Sequence, residues 1–126
     1  MKNQEQMELE DWRAAMMSDL EGTHIGMSTR ALLALTYDDP DRERVEGVLI
    51  DCLSPDVDPQ IRTLAVTCMG HVGRIHRAVG IDVIHRLKEL LDDPVLGGVA
   101  EDALGDIASF VGGSSSSGSE PGRQSS

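Results

Sequence analysis

The 126-residue chain carries 22 acidic and 11 basic residues, a net charge of −11 at pH 7. Such a chain repels a phosphate backbone, which argues against nucleic-acid binding, and it attracts a basic protein. The length bounds a single domain, and with aromatic residues at 2% the core has to come from Leu, Val, Ile, Ala and Met, which suits closely packed helices.

The N-terminal stretch MKNQEQMELED is polar and acidic, unlike a signal peptide. No apolar run approaches the roughly 18 residues of a membrane span, so the expectation is a cytoplasmic protein without membrane contact. A first helix is predicted over residues 4–20, where Leu9, Trp12, Met16 and Leu20 form one stripe at helical spacing. It reads as a cap, residues 1–22, with Trp12 covering the end of a stack. Gly22 and Gly26 bracket a turn, after which Ser28 is placed as the N-cap of a short helix over 29–37. Pro40 ends that helix, because proline clashes with a preceding helical turn.

The third helix is predicted over 41–53, with Val45, Val48, Leu49, Cys52 and Leu53 inward. The fourth, over 59–79, has the clearest pattern: Ile61, Leu64, Ala65, Cys68, Met69, Val72, Ile75 and Val79 keep the 3/4 spacing. A fifth covers 82–91, and a sixth starts near 96–98 and ends at 110. Cys52 and Cys68 face inward and read as inert buried thiols, with no disulfide framework. Asp39-Pro40, Ser54-Pro55, Asp58-Pro59 and Asp93-Pro94 each set a capping side chain before a proline, which accounts for the acidic corners without a metal. From residue 112 the chain reads GGSSSSGSEPGRQSS, with nothing to offset the entropy of ordering, so 112–126 is expected to be a disordered tail.

The helical pattern repeats. Ala31, Ala65 and Ala100 align at spacings of 34 and 35 residues, and Leu35, Met69 and Leu104 follow in register. Asp58-Pro59 falls on Asp93-Pro94. Two helices per unit at this period mean stacked helical hairpins. The stretches DPQIRTLAVTCMGHVG (58–73) and DPVLGGVAEDALGDIA (93–108) resemble HEAT repeats; STRALLALT (28–36) is a truncated, degenerate unit. The resemblance spans residues 23–111. It implies an all-α fold of six helices, a short right-handed α-solenoid of about three hairpins. It also implies a protein-binding scaffold, and small stand-alone bacterial members look like immunity proteins paired with toxins.

In such a stack the second helix of each hairpin lines the concave face. Gly70 lies about 180° from the apolar face of the fourth helix and is expected to face the groove. The repeat register sets Leu33, Thr67 and Asp102 in one row, and Tyr37, His71 and Asp106 in another. Arg74 and Arg77 close the fourth helix, where cations complement its dipole, and they form a small basic spot beside acidic Asp102 and Asp106. Gly70 and Gly73 cost about 1 kcal/mol each against alanine in a helix. Close approach of a neighbouring helix accounts for Gly73. For Gly70, a neighbouring helix and a partner backbone stay open.

Leu33, Tyr37, Thr67, Gly70, His71, Arg74, Arg77, Asp102 and Asp106 are therefore the candidate partner-binding residues. The expected function is non-enzymatic: binding of another protein, of basic character, by an adaptor or toxin-neutralising module. A homodimer formed through exposed end helices is a second reading. A third is a small enzyme or lyase with Asp106 orienting His71 as base and Tyr37 as proton donor. No catalytic residue, metal site or cofactor is assigned; Cys68 and His71 are three apart but lack further ligands at a zinc spacing.

Overall fold

The computed structural model describes residues 3–111. The tail expected to be disordered lies outside them. All regular structure among the described residues is helical, in six helices that form two compact units, one up to Pro40 and one from Asp41.

The first unit is a hairpin of α1 (Gln4–Glu21) and α2 (Ile25–Asp38). Asn3 opens α1 with a reciprocal capping box: its Oδ1 accepts the Gln6 N–H at 2.8 Å, and Gln6 Oε1 accepts the Asn3 N–H at 3.0 Å. Leu9, Trp12, Met16 and Leu20 are half-buried, while Ala31, Leu32 and Leu35 of α2 are buried. The start of α2 differs from expectation. His24 is the N-cap, accepting the Met27 N–H through Nδ1, and Ser28 sits one turn inside the helix. Its hydroxyl reaches the carbonyls of Leu20 at 3.0 Å and Asp19 at 3.2 Å, satisfying acceptors that the end of α1 leaves open.

Asp39 is a second correction. Its backbone closes α2 as the C-cap, and its carboxylate is buried and held by Arg13, Nε to Oδ2 at 2.8 Å and Nη2 to Oδ1 at 2.7 Å. The helix that follows is capped by Asp41 instead.

The second unit contains α3 (Arg42–Asp51), α4 (Pro59–His76), α5 (Ile81–Leu90) and α6 (Gly97–Phe110). Asp58 caps α4 through the Gln60 N–H, with Pro59 beside it at the start of the helix. Asp93 accepts from Leu96 and Val95, and those bonds, the Leu96 one first, hold its carboxyl below the usual range. Ser54 bonds Asp56 in the turn between α3 and α4 rather than capping a helix.

Helix α4 stops at His76, short of residue 79, because Arg77 takes the left-handed conformation at φ 57°. It packs against α3 and α6, and α5 packs against α6 and α3. Having neighbours on two sides, α4 buries more than one stripe. Ile61, Ala65, Cys68, Met69 and Val72 form the expected one; Val66, Gly70 and Gly73 form a second; Ile75 is turned out. Cys52 and Cys68 are free and buried. Burial first, then Asp51 and Cys68, pushes the Cys52 thiol up to about 11, so it stays protonated at neutral pH and is a poor nucleophile.

Gly80, the N-cap of α5, has no side chain to close the helix. Glu46 of α3 takes that part. Its buried carboxylate accepts the Gly80 N–H at 2.9 Å and a bond from Arg42 Nη1 at 2.8 Å. A negative group at a helix start is favourable, so this contact ties α3 to α5.

Candidate partner-binding face

Between its two buried stripes, α4 presents a polar row at helical spacing. Thr67 and His71 are half-buried and Arg74 is exposed. On α6, Asp102 and Asp106 are exposed one turn apart. These five belong to the second unit.

What brings the two helices close is the absence of side chains at Gly70 and Gly73. A Cβ on Gly70 would lie 3.2 Å from the Ala103 Cα and 3.2 Å from Asp106 Oδ2. One on Gly73 would lie 3.0 Å from Ile107 Cγ1. Gly70 is thus corrected from a groove-lining residue to a covered one. The close approach it permits is with α6, as expected for Gly73. Val66, one turn before Gly70 on the same side of α4, is fully buried too.

Arg74 Nη2 lies 3.1 Å from His71 Nδ1. A guanidinium has no lone pair to offer, so it donates and the imidazole accepts, leaving the ring proton on Nε2. Burial, then the Arg74 charge, holds His71 below its ordinary 6.5, with Asp106 pulling the other way. Nδ1 is therefore engaged as an acceptor, and the ring is neutral at physiological pH. Arg77 lies 5.4 Å above the Phe110 ring as a cation–π pair that joins the end of α4 to the end of α6.

The other candidates belong to the first unit, where Leu33 is half-buried and Tyr37 is exposed. Of the Tyr37, His71 and Asp106 row, the second unit brings His71 and Asp106 within electrostatic reach. Among the described residues no group of three His, Cys, Asp or Glu side chains is placed to hold a metal ion, and no helix is long and apolar enough to cross a membrane.

The His71 surroundings have a measurable consequence. Its folded value is depressed, so folding disfavours the proton, and this contribution to stability is present above the unfolded value and is lost as pH falls through the folded one. An NMR titration should place the His71 midpoint below 6.5, with Arg74→Gln raising it and Asp106→Asn lowering it further. No response to either change would show that the ring does not sense them.

No protein-family model, curated protein or solved structure matches this chain.

Proposed function

We propose that the chain is a non-enzymatic protein-binding module. Its hairpins stack as a short HEAT-like right-handed solenoid, and the exposed α4/α6 face takes a basic partner. The observation that carries this reading is the polar face itself: Thr67, His71 and Arg74 on α4 beside Asp102 and Asp106 on α6, on two helices drawn together at Gly70 and Gly73. Asp102 and its neighbour Glu101 are exposed and make no ion pair among the described residues. Unpaired carboxylates around half-buried Thr67 and His71 suit a ligand carrying Lys or Arg. The acidic excess of the chain steers such a ligand in. An adaptor, or an immunity-type protein that neutralises a basic toxin in the cytoplasm, has these needs.

The test is affinity purification of the tagged chain from its own cells at low and moderate salt, beside an Asp102→Lys/Asp106→Lys variant. A stoichiometric partner that the wild type retains, and that the folded variant loses, supports the reading. Equal recovery by both rejects this face, and no partner at either salt rejects the module.

A further inference from the structure

His71 is half-buried between two groups of opposite charge. Arg74, one turn further along α4, sets Nη2 3.1 Å from the His71 Nδ1. Asp106 comes from α6, and its Oδ2 lies 3.2 Å from where a Cβ on Gly70, the residue before His71, would stand. Asp106 is exposed and makes no ion pair among the described residues. Helix α4 also packs against α3, but among the described residues the charges that act on the ring are Arg74 and Asp106, and none comes from α3. The chemistry of Nδ1 makes its contacts exclusive. A guanidinium only donates, so its bond uses the Nδ1 lone pair. With the ring proton on Nε2, Nδ1 is also the one basic atom left, and an arriving proton binds there. Proton and Arg74 therefore compete for a single lone pair. The imidazolium that results repels the guanidinium and attracts the Asp106 carboxylate.

We infer that His71 is a proton-operated switch on the α4/α6 face. With the ring neutral, Arg74 is held on Nδ1 and the Asp106 carboxylate is left to a cation of the partner. With the ring charged, Arg74 is released, the imidazolium takes Asp106 as its counter-charge, and a Lys- or Arg-bearing partner is let go. Asp102 is exposed one turn away and keeps its own charge, so affinity falls rather than vanishes. Burial first, then the Arg74 charge, holds the ring below its ordinary 6.5, so the face is in its binding form at neutral pH and changes only in acid. The release of the partner rests on the reading of this face as a site for a basic protein; the release of Arg74 does not.

NMR titration of the full chain, labelled at the histidine and arginine nitrogens, tests the first half. At neutral pH the ring should be the Nε2–H tautomer, and the Arg74 side-chain signals should move with the same midpoint as His71. An Nδ1–H tautomer, an Arg74 that ignores the midpoint, or a ring that stays neutral until the chain unfolds overturns the switch. The second half is read with a hexa-arginine peptide at low salt, where screening is weak, from the amide shifts of Thr67, Asp102 and Asp106. Its affinity should fall about tenfold between neutral pH and one unit below the His71 midpoint, the order expected of one added charge beside the site. His71→Gln offers Arg74 an acceptor that takes no proton, so its affinity for the peptide should not change over the same interval. Equal affinity of the wild type at both pH values, or the same fall in His71→Gln, overturns the switch and leaves the basic-partner reading standing. No shift at these amides at neutral pH rejects that reading, and partner release with it, even where Arg74 follows the ring.

Discussion

Changing Asp39 to alanine should destabilise the first unit by about 3–5 kcal/mol, the range for removing one partner of a buried ion pair. The carboxylate has no solvent exposure and Arg13 is 16% exposed, so water does little to screen the pair. Two parallel bonds of 2.7 and 2.8 Å bind the planar guanidinium to both oxygens. Asp39→Ala takes both of these bonds from the guanidinium in a partly dry site. Asp39→Asn keeps the shape and loses the charge, and should fall between. Replacing both partners, Arg13→Met with Asp39→Leu, should recover much of the loss, because a buried pair is worth far less than the penalty for breaking it. Trp12, the only tryptophan and next to Arg13 on α1, provides the local probe. Urea unfolding followed by its fluorescence should show a lower midpoint at constant slope. A loss below about 1 kcal/mol would mean that the pair behaves as a surface one.

Asp39 also shows where the sequence stops being readable. The six helices were legible because each keeps apolar residues at 3/4 spacing, and that pattern depends only on neighbours along the chain. An aspartate before a proline reads locally as a cap. That it instead meets Arg13, 26 positions away, is a tertiary fact with no local trace. Ser28 misleads in the same way, since its hydroxyl serves the end of the previous helix. The end of α4 was missed because a non-glycine residue, Arg77, adopts a positive φ that a sequence pattern would assign to glycine or asparagine.

The polar row on α4 was legible in part. Thr67, His71 and Arg74 emerge from helical geometry alone, but the same geometry sent Gly70 to the open side. That inference treats the helix as buried on one face. A helix with neighbours on two sides buries two, and the signal for the second was present as Val66, Gly70 and Gly73, an apolar-and-small stripe at spacings of 4 and 3. The Glu46 contact left a fainter sign, a helix start at Gly80 with no side chain to cap it.

Gly70→Val and Gly105→Val should differ sharply although the two glycines occupy equivalent places in the repeat. At Gly70 the added atoms meet the Ala103 backbone, which does not rotate away, so α6 has to shift; the expected cost is about 1–3 kcal/mol, as for other overpacked sites. At Gly105 nothing lies within 4 Å of an added Cβ, and removing a glycine from mid-helix should stabilise by a few tenths of a kcal/mol. Chemical denaturation of the two variants measures both. The same shift has an electrostatic signature. Pushing α6 away moves Asp106 from His71, and Asp106 is the group that raises the imidazole, so the His71 midpoint should fall in Gly70→Val and stay put in Gly105→Val. Equal costs at the two sites, or a His71 midpoint that ignores Gly70→Val, would show that the glycine contact does not set the spacing of the α4/α6 face. A cost confined to Gly70, together with the moved midpoint, would tie the geometry of the proposed binding face to the absence of one side chain.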